Sequence, residues 1–226
     1  MRLPRPSTII ALSLLSVATI QSLLTANNNV SSQNHWERLE KQESSLQSQV
    51  TKAGGKGACL KSDPELLRKF ANALWLEGKT HEASKVMFPF WAFNAQAELT
   101  NYNPRFVSDA LMLAEIYQSQ GTFKHASECF ESILSYEINR LDKTDSRVVR
   151  DANNLAVSLY LQANLQKDAR ERDKLLERSR QVFLLAYSVS DEKHSPSLVS
   201  VIKNNRAFLK RDYQGADSNQ RKLQTD

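Results

Sequence analysis

The stretch that decides the fold runs from Ala110 to Leu134 and reads ALMLAEIYQSQGTFKHASECFESIL. Leu113, Ala114 and Tyr117 fall on one face of a helix, Gly121 interrupts the chain, and Ala126, Phe130 and Ile133 fall on one face of a second helix. Small residues at 114 and 126 let two backbones approach closely, so the spacing predicts a helix hairpin with those residues at its crossing.

The same frame precedes this hairpin in Ala71, Leu74, Gly78, Ala83 and Met87, and follows it in Ala156, Leu159, Ser179 and Phe183. The two small residues are equally spaced in the first two copies, 71 to 83 and 114 to 126, but run from 156 to 179 in the third. The extra residues, around Lys167 to Glu177, are almost wholly charged and contain no glycine. They are expected to lengthen one or both helices or to form a protruding loop. A fourth first helix is predicted from Ser197 to Arg211, where Asn204-Asn205-Arg206-Ala207 echoes Asn153-Asn154-Leu155-Ala156. First-helix small residues thus recur at 71, 114, 156 and 207, a repeat of about 42 residues with one longer step.

This spacing resembles the tetratricopeptide repeat, in which the first helix carries a small residue and an aromatic and the second an Ala-x-x-x-Phe step. Ala114, Tyr117, Ala126 and Phe130 carry the match, and the period with its Asn-Asn-Leu-Ala element is similar to the longer repeats of the kinesin light chain type. The resemblance covers residues 63–213. The first unit lacks the second-helix aromatic, the third lacks the loop glycine, and the fourth stops after one helix, which suits a cap. An ordinary helical bundle is the alternative reading.

The resemblance implies an all-α, right-handed solenoid of about three and a half helix hairpins, with a concave groove lined by first helices. Its lining would be Arg68, Asn72 and Trp75, then Leu111, Glu115 and Gln118, then Arg150, Asn153, Asn154 and Val157, then Asn204 and Asn205. Family members that capture a peptide C-terminus use a carboxylate clamp. Arg68, Asn72 and Arg150 match three of its positions in kind, whereas Met112 and Asn154 depart from it. Asn154 and Asn205 could instead bond an extended peptide backbone through their amides, or bond neighbouring helix ends. The implied function is a non-enzymatic scaffold for a protein or peptide partner, with no cofactor; a self-associating structural component is the alternative.

Composition agrees with an all-α chain. Its 226 residues include only 6 Gly and 6 Pro. The formal charge is +5, but Arg2 and Arg5 stand in an N-terminal segment without acids, and the interspersed remainder gives no nucleic-acid signature. In residues 1–26 those arginines precede an apolar run from Ile9 to Leu24, the pattern of a signal peptide or signal anchor. The run is shorter than the roughly 20 residues that cross a bilayer comfortably. Leu24-Thr25-Ala26 is a poor cleavage site, which favours a retained anchor. The charge bias then places the remainder outside the cytoplasm, or secreted or periplasmic if the leader is cut. A buried N-terminal helix is the other reading.

Residues 27–62 are polar and read as a stem in which Trp36, Leu39, Leu46 and Val50, with Glu43, follow a heptad over a short helix. Docking on the chain's own domain and pairing with a second copy are both open. Ala53-Gly54-Gly55-Lys56-Gly57 breaks that helix without the Ser or Thr of a phosphate loop. Residues 214–226 read as a disordered polar tail. Cys59 and Cys129 would lie in a compartment that permits pairing, although Cys129 beside Phe130 reads as a buried small hydrophobe.

Nothing in the sequence points to catalysis or a metal. His35, His81, His125 and His194 are dispersed, His81-Glu82 has no second histidine at zinc-protease spacing, and nucleophile-elbow and nucleotide fingerprints are missing. His81 and His125 hold equivalent places before the second-helix alanine, as repeat-surface residues do.

Overall fold

The computed structural model describes residues 29–96, 102–190 and 196–205, and among these all regular structure is helical, with no strand. The helices are α1 (Asn29–Lys52), α2 (Lys56–Ser62), α3 (Pro64–Leu76), α4 (Thr80–Gln96), α5 (Pro104–Ser119), α6 (Phe123–Ile138), α7 (Ser146–Leu165), α8 (Ala169–Val189) and α9 (196–205). The apolar leader, the tail from 214 and Ala207 lie outside the described residues. Contacts divide the chain into two compact units, one ending at Cys129 and one beginning at Phe130, so the division falls inside α6.

In the first unit α3 and α4 pack as a hairpin and α4 packs on α5. Asp63 begins α3 by accepting the Leu66 amide at 3.1 Å, and Asn103 begins α5 by accepting those of Arg105 and Phe106 at 3.0 and 3.3 Å. A proline follows each cap, at the one helical position where its missing N–H costs nothing. Both first helices end on a left-handed glycine, Gly78 at φ 78° and Gly121 at φ 72°. The amides of Gly78 and Lys79 return to Trp75 and Leu74, and those of Gly121 and Thr122 to Gln118 and Tyr117, which closes the last turn over otherwise orphaned carbonyls.

The stem helix α1 is part of this unit. It packs on α3 with Leu39, Leu46 and Val50 buried, and Glu43 meets Lys79 at 3.2 Å. Of the two readings of the heptad, the chain's own domain is what covers these positions. Trp36, the first of the set, stays 50% exposed. Both cysteines are buried and free; Cys59 donates weakly to the Val50 carbonyl, and burial pushes the Cys129 thiol up to about 12.

In the second unit α7 and α8 form the longest hairpin, of 20 and 21 residues. From Ala169 on, the charged insertion is therefore helix, with Lys167 and Asp168 in the short turn before it, not a protruding loop. Gln166 and Asp168 leave and enter helix in extended conformations, and Asp168 accepts the Glu171 amide at 2.9 Å, so this turn needs no left-handed residue. Arg178 of α8 reaches Glu131 of α6 in an exposed ion pair.

Asp145 caps α7, accepting from the Arg147 amide at 2.9 Å and from its guanidinium at 2.9 and 2.7 Å. The Arg147 side-chain bonds, more than the backbone bond, hold the Asp145 carboxyl down at about 2. Asp145→Ala is expected to cost about 1 kcal/mol at neutral pH. The folded pKa lies below the unfolded value of about 3.9, so the contribution is complete above that value and is lost as pH falls toward 2. Urea midpoints of parent and variant should therefore converge across that interval, and a gap unchanged from pH 7 to pH 2 would count against the assignment.

Candidate functional site

The frame residues of the first three hairpins sit where helices meet. Ala71, Ala83, Ala114, Ala126, Ala156 and Ser179 have no exposed surface, and Phe130 and Phe183 are buried beside them in sequence. At the third crossing the Ser179 hydroxyl donates to the Ala156 carbonyl at 2.7 Å. Tyr117 is half-buried against the His125 ring, 5.1 Å between centroids.

α9 departs from its expected register. α5 and α7 each begin ten residues before their frame alanine, at Pro104 and Ser146, and bury the residue four before it, Ala110 and Ala152. α9 begins at 196 and buries Val199, Ile202 and Asn205 while Lys203 is exposed, so its inward face runs one residue earlier than a frame on Ala207 requires.

The first-helix positions proposed to line a groove fall into two groups. In the first unit Asn72 is exposed, and Trp75, Leu111, Glu115 and Gln118 are half-buried. Arg68 is committed elsewhere. Its Nε and Nη2 donate to the two carboxylate oxygens of Asp109 on α5 at 2.6 and 2.8 Å, and Nη1 lies 3.3 Å from Glu65. The Asp109 side chain is 3% exposed, and the guanidinium lies 4.8 Å from the centroid of the buried Phe90 ring of α4. The Asp109 hydrogen bond, the largest influence, raises the Arg68 pKa still further, so this group is a permanent cation pinned between an aspartate and a ring.

In the second unit Arg150 repeats the device on its neighbour, with Nε and Nη2 donating to Asp151 at 2.7 and 2.8 Å. The Asp151 side chain is 0% exposed. Asn153 and Asn205 are buried and bonded to each other, Nδ2 of Asn205 donating to Oδ1 of Asn153 at 3.1 Å. Of the two uses open to Asn205, contact with a neighbouring helix is the one realised. Asn154 and Val157 are half-buried, and Asn204 is exposed.

Asp109, Asp151 and Phe90 are the residues that sequence reasoning missed. A signal existed: both aspartates stand five residues before their frame alanine, Ala114 and Ala156. Among the described residues there is no group of three His, Cys, Asp or Glu side chains that could hold a metal, and no helix long and apolar enough to cross a membrane. No protein-family model matches the chain, and no curated protein matches it.

Proposed function

We propose that this chain is a non-enzymatic interaction scaffold of tetratricopeptide type, tethered to a membrane or exported, whose first-helix faces hold a segment of another protein. The observation that carries the reading is the coincidence of a repeated sequence frame with repeated burial. Six small frame residues in three successive hairpins have no accessible surface, and two of the hairpins turn on glycines at the same frame position. Such pairs cannot bury their faces alone, which is why they occur as arrays, and arrays of this kind are used for binding far more than for chemistry. On the face of the first unit Asn72 offers an amide, and Trp75 and Leu111 offer apolar surface.

The tether rests on the arginines and apolar run of residues 2–24. Fractionation of the tagged full-length chain with carbonate extraction, followed by N-terminal sequencing, tests it. Intact chain in the carbonate-resistant pellet is the expected result. A soluble product beginning near Asn27 would replace the anchor by a cleaved leader, and intact chain in the soluble fraction would remove both.

A further inference from the structure

We infer that two copies of this chain pair through the outer face of α8, antiparallel, about a two-fold axis that passes between Leu175 and Leu176. The inference goes beyond the peptide-binding reading and does not rest on it, because α8 is the second helix of its hairpin and the contact uses no first-helix residue.

Arg170, Asp173, Lys174, Glu177, Arg178 and Gln181 recur at steps of three and four residues along α8, and all six are exposed. They line an open trough of about 890 Å³ on the side of the helix opposite the buried Leu175, Ser179, Phe183 and Ala186. Five charges and an amide on one stripe do not suit an apolar partner. A partner for this face has to answer each charge in register.

A two-fold axis brings together residues that stand equally far on either side of it, so a helix pairs with its own copy only where its sequence complements its own reversal. An axis between Leu175 and Leu176 sets Lys174 against Glu177, Asp173 against Arg178 and Arg170 against Gln181 of the other copy, which matches all six residues of the stripe. Glu171 and Arg180, at its margins, match as well. From Ala169 to Val182 no like charges meet. Placing the axis on Lys174 or on Leu175 sets Arg170 against Arg178 or Arg180, and a parallel pair sets each charge against itself. The charges thus specify orientation and register, as charges flanking a helix seam do.

The ion pairs within one chain are compatible with this arrangement. Arg180 and Gln181 donate to Glu177 at 2.7 to 2.9 Å, Lys174 lies 3.4 Å from Glu171, and Arg178 reaches Glu131 of α6. A carboxylate accepts about four hydrogen bonds and a guanidinium has donors to spare, so each group can hold its neighbour and a group of the other copy. Exposed couples are individually weak, so the association is weak and falls with salt.

The test is sedimentation equilibrium of the full-length protein in density-matched detergent. The expected result is a monomer–dimer equilibrium at about 50 mM salt whose dissociation constant rises at least roughly tenfold at about 500 mM. Lys174→Glu and Glu177→Lys should each weaken the dimer by about tenfold or more, because the axis makes each substitution set like charges together twice. An equimolar mixture of the two variants should regain the parent's affinity to within about threefold, since the acids of one chain then meet the lysines of the other at both couples. Both positions are exposed, so the variants keep the fold, which circular dichroism checks. Monomer at every concentration up to about 100 μM overturns the inference. A dimer that ignores both substitutions overturns it too, and places the contact elsewhere, on α1 or the leader. Loss in both variants without recovery in the mixture assigns these charges a role within one chain and likewise overturns it.

Discussion

Arg68→Ala is expected to cost the chain about 3 kcal/mol, because it leaves the Asp109 carboxylate buried without its partner. The magnitude follows from burial, not from the ion pair as such. An exposed pair is worth about 0 to 1 kcal/mol, since water screens it and two long side chains must be held still. Here the Asp109 side chain is 3% exposed and Arg68 19%, and the guanidinium also lies over Phe90. Removing the cation strands a charge in the interior and takes packing from the ring. Urea unfolding followed by circular dichroism should show the loss at pH 7. Replacing both members by apolar residues, Arg68→Met with Asp109→Leu, should restore stability to within about 1 kcal/mol of the parent. A loss below about 1 kcal/mol in the single variant would mean that Asp109 is hydrated in solution and that the pin is an ordinary surface pair.

That pin marks the limit of what the sequence discloses. Periodicity identifies which face of α3 and of α5 points inward, because burial of apolar side chains imposes the 3.6-residue period on any sequence that forms the helix. It says nothing of which charge on one helix meets which on another, and Arg68 and Asp109 are 41 positions apart. Arg68 reads as a groove residue until Asp109 is placed beside it. Asn153 and Asn205 show the same limit: side chains suited to a peptide backbone serve equally to join α7 to α9.

Other ambiguities were of register and of partner. The charged stretch around Lys167 to Glu177 fits the solvated flank of a long helix as well as a loop. The capping role of Asp168 was the available clue that the chain re-enters helix there. The Asn-Asn pair aligns the fourth helix on Ala207, and the ten-residue distance by which α5 and α7 precede their frame alanine leads from the expected start at Ser197 to the same Ala207; the helix begins at 196, and its buried face runs one residue earlier. For α1 the heptad was legible and its covering surface was not, since Leu39, Leu46 and Val50 would look the same against α3 or against a second copy.

Ser179→Leu is expected to destabilise the second unit by about 3 kcal/mol, the upper end of the range for overpacking, while Ser179→Ala costs about 1 kcal/mol. The asymmetry separates the two roles of this residue. Its hydroxyl bonds the Ala156 carbonyl at 2.7 Å, and because that carbonyl belongs to a helix, losing the extra donor forfeits one modest bond. Its small size does more. Neither Ala156 nor Ser179 has exposed surface, and an oxygen of one side chain touches the backbone of the facing helix, so there is no space for three further carbons. Leucine must push α8 away from α7 or leave its rotamer, and either course loosens Phe183 and Ala186, the buried residues that follow on the same helix. Hydrogen exchange should then show faster amides in α7 and α8 of Ser179→Leu and nearly unchanged amides in α3 and α4 of the other unit. Equal costs for alanine and leucine would show that the crossing has room to spare, and the small-residue frame would lose its physical basis at this hairpin. Acceleration of α3 and α4 to the same degree would instead mean that the two units unfold as one, and the loss measured at Ser179 would then belong to the whole chain.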